Sequence, residues 1–277
     1  MASMFRDAAA FNQDIGQWNV SKVTAMAGMF AGAAAFNQAI GEWDVSQVTT
    51  MQYMFESAAA FNQAIGEWNV SQVRNMSFMF MYAAAFNQDI GEWNVSNVTD
   101  MGYMFYNARA FNKPLANWER ENSTVGNVTD MQYMFVNAAA FNQAIGQWNV
   151  SQVTTMQAMF CGASAFNQPI EGWDMSRVVD MGYMFHESAY THDKPTPQRT
   201  EMSKNLKYIE DEIPKLTSPR KAHRKAHELL EKVIGIPELS GEITGYGGNR
   251  RSNTRKNRSK PKSKRTQKNK VHEKRNK

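Results

Sequence analysis

Residues 15–36 read Ile15-Gly-Gln-Trp18-Asn-Val20-Ser21-Lys-Val23-Thr-Ala-Met26-Ala-Gly-Met29-Phe30-Ala-Gly-Ala33-Ala-Ala-Phe36. Trp18 and Val20 alternate with Gln17 and Asn19, the period of two that marks a half-buried strand. From Ser21 to Ala33 the apolar residues fall three and four apart, which predicts one or two helical or 3₁₀ turns. Phe36-Asn37-Gln38 then leads into the next predicted strand, over 40–45. A strand followed by a short turn is one supersecondary unit, too small to bury its own apolar face.

The same pattern returns every 25 residues. Met-Phe pairs end at Phe5, Phe30, Phe55, Phe80, Phe105, Phe135, Phe160 and Phe185. A second phenylalanine opens Phe-Asn-Gln or Phe-Asn-Lys at 11, 36, 61, 86, 111, 141 and 166, and all seven tryptophans keep the beat at 18, 43, 68, 93, 118, 148 and 173. Five extra residues within Glu119–Asn127 break it once. Residues 1–187 are therefore a repeat array, whose neighbours must stack to bury a continuous core. The expected class is an α/β repeat solenoid: parallel strands side by side, joined by short helical turns. The asparagine at 12, 37, 62, 87, 112, 142 and 167 is expected to satisfy backbone groups where each unit turns a corner.

The run Phe-Asn-Gln-Asp-Ile-Gly-x-Trp-Asn-Val-Ser-x-Val-Thr-x-Met-x-x-Met-Phe resembles the 25-residue repeat of the BspA-like leucine-rich-repeat surface proteins. Similar repeats occur in mycoplasma-type lipoproteins and in large arrays from protists and giant viruses. The resemblance covers residues 1–187 and implies a leucine-rich-repeat-like solenoid. For surface members it implies adhesion or partner binding, and it implies no catalytic residues, because the shared motif is a framework. The chain departs from the family in showing no signal peptide, no lipobox cysteine near the start and no N-terminal cap. It begins inside a repeat, which reads as a truncated product or an atypical start. Localisation stays open, between the cell surface that the family suggests and the intracellular or nuclear site that a basic tail suggests.

A partner must use positions that vary or face solvent. One outward column on the strand face contains Glu42, Glu67 and Glu92, and the next contains Asp44 and Asp174. With 7 Lys/Arg against 16 Asp/Glu, residues 1–187 carry −9. This stripe reads as a face for a basic or hydroxyl-rich partner, or as a solvated face of polar ladders. A further column, immediately before each Met-Phe pair, holds Tyr53, Phe78, Tyr103, Tyr133 and Tyr183, with Gly28 and Ala158 in the same register. These aromatics read equally as a docking stripe or as rings packed on one another. The insertion at 119–127 is a candidate specificity loop or a harmless bulge.

Searches for catalysis and metal binding return little. His223 and His227 lie four apart in a predicted helix but lack a third ligand. Cys161 stands alone, Gly241 to Gly248 form no phosphate loop, and no cofactor is expected. A linker is expected at 188–199, a helical segment or cap at 200–235, and a disordered basic tail at 236–277.

The tail concentrates the chain's positive charge. Residues 250–277 hold 14 Lys/Arg against Glu273 alone, so the overall +5 conceals an acidic array and a +13 terminus. Arg250, Arg251, Arg255, Lys256, Arg258, Lys260, Lys262, Lys264, Arg265, Lys268 and Lys270 are the candidate polyanion-binding residues. With no aromatic residue among them, contact with nucleic acid would be electrostatic rather than sequence-specific. Two readings follow: a non-enzymatic interaction or adhesion scaffold, or an intracellular or viral factor whose tail binds nucleic acid or directs nuclear entry. If six phosphates are engaged, affinity for duplex DNA should fall about 10³-fold between 50 and 200 mM salt in a filter-binding titration. An affinity indifferent to salt would refute the electrostatic mechanism.

Overall fold

The computed structural model describes residues 1–196, all within Met1–Leu229, the first of two compact units of the chain. The expectations for the end of the linker at 188–199, for the helical segment 200–235 and for the tail 236–277 lie outside the described residues.

Each 25-residue unit is tied to the next by backbone hydrogen bonds that alternate along the chain. Gly28, Phe30 and Gly32 donate their N–H groups to Gln52, Met54 and Glu56 of the following unit, at 2.8, 2.9 and 2.7 Å. The residues between them turn back on their own unit: Met29 donates to Met26 and Ala31 to Gly28. Alternate donors thus serve two directions, and a helix, which would use every donor locally, does not form. The apolar spacing of three and four reflects successive β-turns. Gly28 and Gly32 take φ of +60° and +72° there, the left-handed values that end helical propagation.

The predicted strand is also displaced. Around Trp18 the backbone makes two turns, Trp18 N–H to Ile15 and Val23 N–H to Val20, and Asn19 Oδ1 accepts the Ser21 N–H at 3.1 Å. That side-chain acceptor takes a donor which a strand would give to its neighbour. The parallel pairing falls five to seven residues later, as single bridges along Ala25, Thr50, Asn75, Asp100, Asp130, Thr155 and Asp180. Among the described residues the one helical element is the 3₁₀ turn Ala116–Trp118.

Side chains repeat the unit-to-unit tie. The indole N–H of Trp43 donates to the Ile15 carbonyl at 3.2 Å, and those of Trp68, Trp93, Trp118, Trp148 and Trp173 find the equivalent carbonyl one unit back at 2.9–3.2 Å. Each asparagine of the ladder accepts the next asparagine's backbone N–H; Asn37 does so from Asn62 at 2.9 Å, while Gln63 Nε2 donates to the Asn37 carbonyl. Asparagine therefore satisfies the corner backbone, as its ladder predicts, and the glutamine after it adds a second tie. The two phenylalanine columns stack within a unit (Phe30–Phe36, 3.9 Å) and between units (Phe30–Phe55, 5.7 Å), and all inner members are buried.

The glycine after each core isoleucine has a steric cause. A Cβ at Gly66 would lie 2.6 Å from the Asp89 carbonyl oxygen of the next unit, and one at Gly41 would lie 2.5 Å from that of Ala64. Two units depart from this rule, with Glu171 after Ile170 and with Ala116 after Leu115, at the corner that takes the insertion. There the chain forms its 3₁₀ turn and takes in the extra residues, closed by paired Arg120 and Ser123 with the Ser123 hydroxyl against the Trp93 carbonyl. Gly66→Ala should lower stability by about 1–3 kcal/mol, because backbone cannot yield as a side chain can. Gly172→Ala, where a Cβ meets nothing within 4 Å, should change it little. Urea unfolding followed by tryptophan fluorescence checks both.

Candidate partner-binding face

The aromatic column lies at one of the unit's two left-handed backbone positions, the other being four residues on at Gly32, Ser57, Tyr82, Asn107, Asn137 and Gly162. Tyr53, Phe78, Tyr103 and Tyr133 have φ between +56° and +61°, where Gly28 has +60° and Ala158 +52°. The position is the third residue of a turn whose last N–H, such as that of Met54, closes on the carbonyl three back, Met51. Such a turn favours glycine, and a side chain there costs about 1–2 kcal/mol. The four rings nevertheless form a ladder, at centroid distances of 4.5, 4.6 and 4.7 Å, all stacked. Tyr82 and Tyr106 meet edge-to-face at 5.4 Å, and Tyr106 contacts Tyr103 at 5.8 Å, which widens the aromatic strip.

Tyr183 stands one rung apart, because Ala158 occupies the intervening unit. Its ring contacts His186 edge-on at 5.7 Å, and its hydroxyl is buried with no hydrogen-bond partner. Burial pushes the Tyr183 phenol up to about 12 and raises that of Tyr133 as well, so both stay protonated near neutrality. Burial also lifts the Cys161 thiol to about 11, which leaves little thiolate at neutral pH. Among the described residues no group of three or more His, Cys, Asp or Glu is arranged to hold a metal ion.

The acidic stripe resolves into two kinds of residue. Glu42, Glu67 and Glu92 are exposed, and Glu92 is paired with Arg120 and accepts from Asn117 at 2.7 Å. These hydrogen bonds, Asn117 foremost, lower its carboxyl. Asp44 and Asp174 each accept the backbone N–H two residues on, from Ser46 and Ser176 at 3.0 Å. The serine hydroxyls and these N–H groups hold both carboxyls below the usual range. Asp44 and Asp174 are thus turn caps. The stripe lies in the segment before the parallel bridge and the aromatic ladder in the segment after it.

Asp100, Asp130 and Asp180 lie beside the ladder and were not among the residues picked from sequence. They stand at the bridge position, three residues before Tyr103, Tyr133 and Tyr183, and each accepts the N–H two residues on. Burial raises the Asp130 and Asp180 carboxyls; the Gln132 and Gly182 N–H groups oppose it, and Asp100 adds to it at Asp130. The signal was present as Asp-Met-Gly-Tyr-Met-Phe at 100–105 and 180–185 and Asp-Met-Gln-Tyr-Met-Phe at 130–135, overshadowed by the stricter Met-Phe beat.

A family model described as "Mycoplasma protein of unknown function, DUF285" matches residues 1–74, 38–125 and 121–211. The three matches together span well over half of the chain. The chain belongs to this family. Successive matches along one chain are the mark of a repeat-containing member of DUF285, which agrees with the 25-residue period. No curated protein and no solved structure matches this DUF285 chain. No helix among its described residues is long and apolar enough to cross a membrane.

The raised Asp180 carboxyl gives a pH prediction of definite sign. The folded state holds this proton more tightly than the unfolded chain, so its contribution to stability is full below the ordinary aspartate value of ~4. It is lost as pH rises through the higher folded value. Asp180→Asn keeps the acceptor for the Gly182 N–H, as Asn75 does for Ser77. The variant should melt higher than the parent at pH 7, and the difference should vanish near pH ~3.5, below the ordinary aspartate value. Thermal melts at both pH values check it.

Proposed function

We propose that this protein is a non-enzymatic interaction scaffold, a leucine-rich-repeat-like solenoid that binds a protein partner through the aromatic ladder. The class is supported by the single parallel bridge per unit and by hydrogen bonds that repeat at 25 residues. Adhesion is the role that the repeat's resemblance suggests for such a face. The acidic stripe at Glu42, Glu67 and Glu92 is a secondary contact surface in this reading.

The observation that carries the proposal is the ladder's energetic position. Gly28 and Ala158 make the same turn without a ring, so the framework does not require one. Three stacked contacts among four rings contribute about 1.5–4.5 kcal/mol. Four side chains in left-handed backbone cost about 4–8 kcal/mol. Ring–ring stacking by itself offsets only part of that cost, and aromatics held in strained backbone on a surface suit a binding face.

A second reading rests on sequence alone: +13 in residues 250–277 would bring polyanions to the same molecule. In it the scaffold holds a protein while the tail holds nucleic acid.

The double variant Phe78→Gly/Tyr103→Gly tests the ladder. It removes two rings and relieves two strained residues, so its melting temperature should change little. Its capture of a partner in a pull-down should fall about tenfold or more, as loss of central aromatic anchors does. Gln47→Ala/Gln72→Ala, in an exposed column of the segment before the parallel bridge, is the control. Equal capture by all three proteins would overturn the proposal.

A further inference from the structure

The ladder offers a partner an unusual surface. Phe78 has Tyr53 on one face at 4.5 Å and Tyr103 on the other at 4.6 Å, and Tyr103 is likewise covered by Phe78 and Tyr133. Both faces of Phe78 and of Tyr103 are therefore used up internally, so a partner meets the inner rungs edge-on. Two carboxylates stand in the bridge column, three residues before Tyr103 and Tyr133, and meet beside Gly102, the residue preceding Tyr103. A Cβ at Gly102 would lie 3.3 Å from Asp130 Oδ1 and 3.4 Å from Asp100 Oδ1, so both oxygens rest against the same small residue. Asp100 further accepts from Asn75 Nδ2, and Asp130 from Gln132 Nε2. Both residues are half-buried, and none of the ion pairs among the described residues involves either.

We infer that this strip docks an extended segment of a partner protein bearing Arg or Lys, whose cationic heads pair with Asp100 and Asp130 while their stems lie along the ring edges of Tyr103 and Tyr133. The inference rests on the reading of the ladder as the partner-binding face and names the chemistry of that partner. Two half-buried carboxylates one unit apart repel one another, and an incoming cation removes that repulsion. Long basic side chains suit the strip better than other groups, because an aliphatic stem covers apolar edge while the head reaches charge. With 16 acidic against 7 basic residues in 1–187, the array also attracts such a segment over distance and repels a polyanion.

The test uses the full chain and a fluorescein-labelled nonapeptide alternating Arg and Leu, read by anisotropy at low salt. Asp100→Asn/Asp130→Asn retains both turn acceptors, as Asn75 shows, and should weaken binding about tenfold or more. Asp14→Asn/Asp89→Asn removes the same charge from exposed turn caps remote in register from the ladder, and should leave binding within about twofold. Equal weakening by the two pairs would reduce the effect to net charge and overturn the inference. So would equal binding of the peptide with Glu in place of Arg, or displacement by millimolar calcium where sodium of equal ionic strength does nothing. Should the Asn pair bind normally while Phe78→Gly/Tyr103→Gly still loses its partner, the basic segment falls and the scaffold stands. If neither double variant changes binding, both readings fall together.

Discussion

Everything in the array depends on how the backbone divides its donors. From Gly28 to Ala33 the N–H groups alternate between a carbonyl of the next unit and a carbonyl of the same one. The local bonds set the turns, and the distant ones set the register at 25 residues. Neither set is complete without the other, because a turn series alone leaves half its donors unpaired, and buried unpaired donors are costly. The left-handed residues at Gly28 and Gly32 allow both, by rotating successive peptide groups into opposite directions.

From that division the side-chain columns follow. Equivalent residues of adjacent units stand beside one another, so phenylalanine meets phenylalanine at 5.4–6.1 Å and tryptophan reaches the preceding isoleucine carbonyl. Asparagine and glutamine do the same for polar backbone at the corner. Close stacking also explains the corner glycines, since the following carbonyl occupies the space a Cβ would need. Where Ala116 replaces glycine, the chain departs locally into a 3₁₀ turn and an insertion, and Ser123 supplies the missing hydrogen bonds with its hydroxyl.

The same constraint creates the candidate face. A column locked at φ near +60° has one economical occupant, glycine, and this chain instead places rings there in five of seven units. The bridge column three residues earlier carries aspartates whose carboxyls cap their own turns and sit half-buried beside those rings.

The period, the buried columns and the asparagine ladder were legible in the sequence, because identical spacing leaves stacking as the way to bury Phe, Trp and Met. The local backbone was not. Trp18 and Val20 alternate as in a strand, yet the Asn19 side chain takes the Ser21 N–H and makes a turn of it. Residues 26–36 have helical spacing, yet the N–H groups of Met26, Gly28, Phe30 and Gly32 leave for the next unit. Periodicity reports which side chains face the core, and two different backbones can satisfy the same pattern. Tyr53, Phe78, Tyr103 and Tyr133 were visible as a column, but their strained backbone and mutual stacking depend on neighbours 25 or 30 residues away. So does the placing of Asp100 and Asp130 against Gly102. Sequence alone determined that the units repeat and what they bury; the tertiary structure decided where the donors go, because that choice requires the next unit to be in place.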